Sequence, residues 1–491
     1  MLMQNCAIND IQTYQPSAEK PWNKERIAHL YRRLGFGATY NEIIAGLATD
    51  PEDLVDQLID GAFNLPNPAT PFWGDYTMQD FEDNPDLEVF QLKMEFRRRW
   101  LLEMTAEGPV AIRAKLALFW SNHFVTAENV YECINYMWKY YELLNTHCLG
   151  NFKEFVELMG INPAMLVYLN GNLNVVNEPN ENYARELMEL FTMGENNGYT
   201  QNDIAEVSRA LTGWQAHGYF CIPVSLDENL YDNGSKTIFG QTGNWDYGQV
   251  HDLIFEQRTD EVAHHICSEI YKFFVYPEIN EDIVNALAET FKAPANNWNL
   301  VPVFKQLFKS EHFFDEVLIT GHIKSHVEVF IGTIKLIGLE HNTHYTDDLL
   351  DFFTYRLDSL GQHLFNPPDV AGWPGHRAWV NENTLTSRWN FSGQQLYWYL
   401  DDPGRAQMVQ LALDLSNGSN NPEIIVGLVA NHFLGKDLSP AALQTAIQYF
   451  KGDVPENYFQ DGSWSLYWDS APWQMLTLIN HLVRLPEFHL V

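Results

Sequence analysis

Asn182, Arg185, Glu186 and Glu189 recur at helical spacing within NENYARELMELFTMG, residues 180–194. That spacing gathers them on one side of an α-helix, with Ala184, Leu187, Met188 and Phe191 on the other. Two carboxylates one turn apart, flanked by a guanidinium and an amide, can chelate a divalent cation or hold a proton for acid–base catalysis. The same pattern also makes a solvated helix face, steadied by an i,i+4 pair between Glu181 and Arg185. The next helical stretch, YTQNDIAEVSRALTGW, carries Asp203, Glu206 and Arg209. Across the GENNGYT connection the two polar stripes can face each other as an enclosed salt-bridge network, which is often structural rather than catalytic.

Three other places hold candidates. His123 lies four residues after Phe119 and continues an apolar helix face. There it either fills a core position with one hydrogen-bond partner or shuttles a proton at a pocket lip. The segment GWPGHRAW sets His376 and Arg377 between Trp373 and Trp379. Its glycines let the backbone approach a ligand, and His plus Arg suit an anion, although a packed Ω-like loop would look the same. Asp369, just upstream, can act as an acid or cap the residues after it. His322 and His326 in GHIKSHVE have the i,i+4 spacing of metal ligands on a helix, without the Glu of HExxH. No nucleophile elbow, P-loop or dinucleotide fingerprint is present. The candidate catalytic set is therefore Glu186, Glu189, His123 and Asp369. The candidate substrate contacts are Asn182, Arg185, Trp373, His376 and Arg377.

These side chains need a helical body to position them. Pro109 opens the helix that ends near His123, and Thr200 with Asp203 forms a capping-box variant. A helix over PWNKERIAHLYRRL stops near Gly35, with Gly37 in the turn beyond. PEDLVDQLID and SPAALQTAIQYF read as further helices. The expected architecture is all-α, a single large domain over 21–491 behind a polar leader over 1–20. Irregular excursions, with at most short strands, are expected at about 215–250 and 361–391.

The composition narrows the function. The chain has 491 residues, 46% hydrophobic and 19% charged, which is ordinary globular chemistry. Its formal net charge of -34 repels phosphate backbones and anionic membranes, so nucleic acid is not an expected partner. No run of apolar residues is long enough to span a bilayer, and the first residues do not read as a signal peptide. This fits a protein that stays inside, has had a leader removed, or leaves with a partner. Five scattered cysteines, never spaced CxxC, argue against a disulfide framework and against a zinc knuckle. The 15 Trp and 23 Tyr offer aromatic faces of the kind that suit sugar rings.

HLYRRLGFGAT, LFWSNHFVT, NENYARELMELFTMG with YTQNDIAEVSRALTGW, and LFNPPDVAGWPGHRAWVNENTLTSRWNF occur in that order, with YDNGSKTIFG among them. Together they resemble the bacterial family known as domain of unknown function 1800, over roughly residues 25 to 485. The resemblance implies a large, mainly helical protein, often exported. It also implies gene neighbours that encode a secreted sulfatase- or phosphatase-like protein. Three positions depart from the family pattern: Ser121 and Tyr231 stand where His is common, and His326 where Pro is common. If those histidines served a metal centre, this chain would bind metal poorly, keeping His123, Asp232, Glu186 and Asp369. Three functions follow as expectations. One is a hydrolase acting on a polysaccharide or a sulfated or phosphorylated substrate. Another is a non-catalytic partner, or export or maturation factor, for a sulfatase-like protein. The third is a helical glycosidase with paired carboxylates.

Overall fold

The computed structural model describes residues 10–491 and is mainly helical, as the periodicity predicts. Seven helices position the site: α1 (Lys24–Leu34), α2 (Pro109–His123), α3 (Asn182–Glu189), α4 (Gln201–Ala210), α5 (Thr259–Phe274), α6 (His326–Ile337) and α7 (Glu382–Gln394). Two of them have almost no solvated face. In α2, Ala111, Ile112 and all of Ala114 to Ser121 are buried. In α6, only Glu328 is not fully buried. A helix apolar on all sides belongs at the centre of a large body. Accordingly α2 packs against Pro51–Phe63, Val89–Thr105 and Ile134–His147. A further group, Asp402–Ser416, Pro422–Leu434, Pro440–Lys451 and Ala471–Leu482, packs together toward the C-terminus.

Local chemistry sets many boundaries where the sequence places them. Pro109 occupies the first turn of α2. The Asn23 side chain caps α1, and Gly35 ends it. Thr200 and Asp203 cap α4 reciprocally. Ser439 caps Pro440–Lys451. The excursion after α4 holds two antiparallel pairs, β1 (Trp214–Gln215) with β2 (Ser225–Leu226), and β3 (Lys236–Ile238) with β4 (Gln241–Gly243). No helix among the described residues is long and apolar enough to cross a membrane.

Four expectations change. First, α3 stops at Glu189 rather than running to Gly194, because the chain tightens into turns after Leu190. Second, the irregular stretch after residue 361 ends early, since Asn381 caps α7 through the amides of Asn383 and Thr384. Third, His322 and His326 do not share a helix: Ser325 caps α6, so α6 begins at His326 and His322 lies in the preceding loop. Fourth, Cys133 and Cys221 form a disulfide across 88 residues. Their spacing in sequence hid this, because the excursion folds back onto the start of Ile134–His147. There the Asn135 side chain donates to the Cys221 carbonyl at 3.1 Å. Cys148 and Cys267 are free and buried. Of the expected polar leader, residues 1–9 lie outside the described residues. Tyr14 within it is buried, and its backbone N–H donates to the Lys309 carbonyl at 2.8 Å.

Candidate functional site

The end of α2 meets the Gly-Trp-Pro-Gly loop through one side-chain amide. Asn122 Oδ1 accepts from the Trp373 N–H at 2.6 Å, and Asn122 Nδ2 donates to the Trp373 carbonyl at 3.3 Å. An amide side chain here imitates a strand partner for residue 373. Gly372 makes the approach possible: at φ +79° it sits in the left-handed region, and a Cβ there would lie 2.4 Å from Asn122 Oδ1. This clasp closes one wall of a cavity of about 440 Å³ between α2, α5, the start of α6 and the 362–379 loop. Phe119, Phe273, Trp373 and Trp379 supply much of its apolar lining.

Two histidines stand at one end. His123 Nε2 is 3.2 Å from the Phe191 carbonyl, and His265 Nε2 is 2.8 Å from the Leu190 carbonyl. A carbonyl only accepts, so both imidazoles carry their proton on Nε2 and keep a lone pair on Nδ1. These bonds also satisfy carbonyls just beyond the end of α3. Burial pushes the His123 imidazole down to about 4, with His265 adding to the effect. Burial likewise holds His265 below its ordinary value. Both rings are therefore neutral at pH 7, with centroids 6.3 Å apart. Glu269 follows one turn after His265 on α5 and bonds Lys272 at 2.8 Å. Burial would raise its carboxyl, but Lys272 and the two histidines bring it below the usual range.

The opposite end is built differently. Arg33 NH2 lies 3.4 Å from His322 Nδ1, and the Ile323 N–H donates to His376 Nδ1 at 3.5 Å. A guanidinium and an amide only donate, so His322 and His376 carry their protons on Nε2. The two rings meet edge to face at 5.1 Å. Burial, then Arg33, holds His322 well below the ordinary histidine range. Glu328 is paired with the buried Lys115 and accepts the Ser325 N–H at 2.5 Å. Burial alone would raise the Glu328 carboxyl, but Lys115 and these bonds bring it down to about 2.

Of the expected site residues, His123, Trp373 and His376 line this cavity. Asn182, Arg185, Glu186, Glu189, Asp369 and Arg377 do not. Arg185 instead bridges Glu181 at 3.1 Å and Glu189 at 3.3 Å, and reaches Gln201 on α4 at 3.1 Å. Its side chain is 36% exposed, so this is a partly solvated network rather than an enclosed one. The α4 stripe turns to the excursion: Arg209 pairs with Asp232 at 2.8 Å, Glu206 accepts the Thr237 N–H, and Asp203 accepts the Phe239 N–H. Glu186 is half-buried. Burial raises its carboxyl, Glu189 adds to that, and Arg185 opposes it. Asp369 is exposed, with Oδ1 accepting the Ala371 N–H at 2.9 Å. Asn182 and Arg377 are exposed as well. Glu186 and Asp369 do share a neighbourhood, since both charges act on the Tyr168 hydroxyl, which burial raises first. Among the described residues no group of three His, Cys, Asp or Glu is placed to hold a metal ion.

Sequence reasoning missed His265, Glu269 and Glu328. The His-x-x-x-Glu spacing at 265 and 269, one turn from Phe273, is the signal that could have found the first two.

A family model described as a protein of unknown function (DUF1800) matches residues 29–490. The chain belongs to the DUF1800 family. No curated protein and no solved structure matches it. In this DUF1800 chain Ser121 is buried, and its hydroxyl donates to the Leu118 carbonyl at 2.8 Å. Tyr231 donates to the Trp245 carbonyl at 3.3 Å, and His326 packs edge to face on Trp379 at 5.0 Å.

Proposed function

We propose that this DUF1800 protein is a hydrolase whose site is the cavity beside Trp373, with His123 and His265 as the acid–base groups. The observation that carries this reading is the pair of neutral imidazoles in the cavity wall, each with Nε2–H fixed on a carbonyl and Nδ1 left as base. Catalytic bases are usually positioned by such a bond on the second ring nitrogen. In the reaction, an Nδ1 takes a proton from water as the water oxygen bonds to the ester carbon, sulfur or phosphorus. The bond to the leaving oxygen breaks, and the imidazolium returns the proton to it. The volume suits a small ester, or the sulfated or phosphorylated end of a saccharide, rather than a long glycan strand. On this reading the acid–base role expected of Glu186 and Glu189 passes to the histidines.

The test is turnover of 4-nitrophenyl acetate, sulfate and phosphate and of a sulfated-glycan panel, with His123→Gln, His265→Gln and Glu186→Gln. Loss of about 100-fold or more in either histidine variant supports the reading. Its acid limb should lie near pH 4, where His123 protonates. Equal loss in Glu186→Gln would return the chemistry to the carboxylates, and no turnover by the wild type would end the hydrolytic reading.

A second reading, a docking partner for a sulfatase-like protein, is favoured by one surface. Phe72, Tyr219 and Phe220 are 63%, 54% and 52% exposed. They belong to neighbouring segments, since the Met78 N–H donates to the Phe220 carbonyl and Phe72 packs on Tyr76. Co-purification with such a partner that is lost in Phe72→Ser and Phe220→Ser would support it. The disulfide supports an oxidising compartment for either role.

A further inference from the structure

The most acidic feature of this protein is its surface, yet the floor of the cavity is backed by cations. Arg33 is buried, and its guanidinium donates to the Phe274 and Val275 carbonyls and to His322. Arg388 is also buried, bonded to His489 Nδ1 at 2.9 Å, to the Lys324 carbonyl at 2.5 Å and to His326. Lys324 donates to the Phe488 carbonyl at 2.6 Å. The partners of both guanidiniums are carbonyl oxygens and ring nitrogens rather than carboxylates, while burial holds the Lys324 ammonium well below its ordinary range, so the two arginines carry the charge. The nearby carboxylate, Glu328, is already matched by Lys115. A buried cation without a carboxylate is costly, and it leaves a positive potential in whatever space it faces.

On this side the Glu328 carboxylate is taken up by Lys115 and the Ser325 N–H, and the two imidazoles present donors. His322 and His376 both carry Nε2–H, because Nδ1 of each ring accepts from a group that only donates. Trp373 is 5% exposed, and its Nε1 is closed off from solvent, so the indole serves this side as wall. The apolar walls contributed by Phe119, Phe273 and Trp379 can cover a ring-sized body but offer nothing to an anion.

We infer that the His322 and His376 side of the cavity is an oxyanion subsite, taking the carboxylate, sulfate or phosphate head of an aromatic organic acid whose apolar body lies on Phe119, Phe273 and Trp379. This inference rests on the cavity being the functional site, and it names the substrate class. The head is held by the His322 and His376 imidazole donors, with Arg33 behind His322 supplying charge. The body points toward His123 and His265, so an ester bond next to the anionic ring comes within the reach of the acid–base end. A neutral analogue of the same shape leaves the donors unmatched and the cations uncompensated.

The test is calorimetric titration of the full chain with 4-nitrobenzoate, 4-nitrophenyl sulfate, 4-nitrophenyl phosphate and neutral 4-nitrobenzyl alcohol. At least one anion should bind tenfold or more tighter than the alcohol, and the three anions distinguish which head the site selects. His376→Phe, chosen because this ring is only half-buried, should lower anion affinity about tenfold and leave the alcohol unchanged. Equal binding of anions and alcohol by the wild type would overturn the subsite, and needs no variant to fold. So would a His376→Phe protein that binds anions as tightly as before. Anion binding without turnover of any ester removes the hydrolytic reading and leaves the subsite. Turnover indifferent to substrate charge removes the subsite and leaves hydrolysis.

Discussion

Adding one methyl group at residue 372 should cost more than adding it three residues later, and the difference measures the clasp that closes the cavity. At Gly372 the backbone has φ +79°, and a Cβ would meet Asn122 Oδ1 at 2.4 Å and the Asn122 carbonyl at 2.7 Å. The left-handed conformation alone costs an L-residue about 1–2 kcal/mol. The contacts are shorter than real Cβ atoms tolerate, so residue 372 must leave α2, breaking both Asn122–Trp373 hydrogen bonds at about 1 kcal/mol each. The expected destabilisation of Gly372→Ala is therefore about 3–4 kcal/mol. At Gly375 the angle is also positive, φ +67°, but a Cβ there would meet no atom within 4 Å. Gly375→Ala should thus cost only the conformational part, about 1–2 kcal/mol. Urea midpoints of the two variants, followed by tryptophan fluorescence in parallel, give the comparison. Asn122→Ala should cost about 2 kcal/mol alone and add little to Gly372→Ala, because the same bonds are lost once. Equal destabilisation by the two alanines, or full additivity with Asn122→Ala, would refute the clasp.

Two further outcomes follow from covalent and ionic features. Cys133→Ser should destabilise the protein by about 4–5 kcal/mol, the loop-closure value for a ring of this length, and a thiol reductant should reproduce the loss in the wild type. An unchanged urea midpoint under reduction would remove the cross-link from the account. His251 and His432 are buried, and burial lowers each to about 4. Their neutral forms are favoured in the folded state, so stability is complete above an unfolded pKa of about 6.5 and is lost as pH falls through 4. Each should contribute about 3 kcal/mol to that loss. Urea midpoints at pH 7, 5.5 and 4.5 should show it, and His251→Gln should flatten the slope. Parallel curves for wild type and variant would contradict the assignment.

What was legible in the sequence was local. Pro109, Gly35, the Thr200–Asp203 cap and the Ser439 cap mark helix ends within a few residues of the groups they serve, so one sequence suffices to read them. The irregular excursions announced themselves through glycine, asparagine and proline. His123 was readable because Phe119 and its neighbours fix its helix face. The rest depends on partners far along the chain. Asn122 meets Trp373 across 251 positions, and Arg33 meets His322 across 289. The polar stripe at Arg185 has the residue types of a reaction centre, but its i,i+4 bonds satisfy it locally, and no spacing reveals whether solvent reaches it. Cysteine spacing misled for a related reason: a cross-link reports where the excursion returns, and periodicity holds no information on that.

The Cys133–Cys221 bond has one more effect. It makes residues 133–221 a covalent ring that contains α3, α4 and the Leu190 and Phe191 carbonyls, while His123, His265 and the Trp373 loop lie outside it. The cavity is thus assembled across a seam between a closed loop and open chain. The seam is crossed in chain order, since Cys221 is synthesised well before His265 and the residues at 373–376. A protease cut inside the loop, for example in the exposed turn at Glu195 and Asn196, leaves the pieces joined and the seam intact until the sulfurs are reduced.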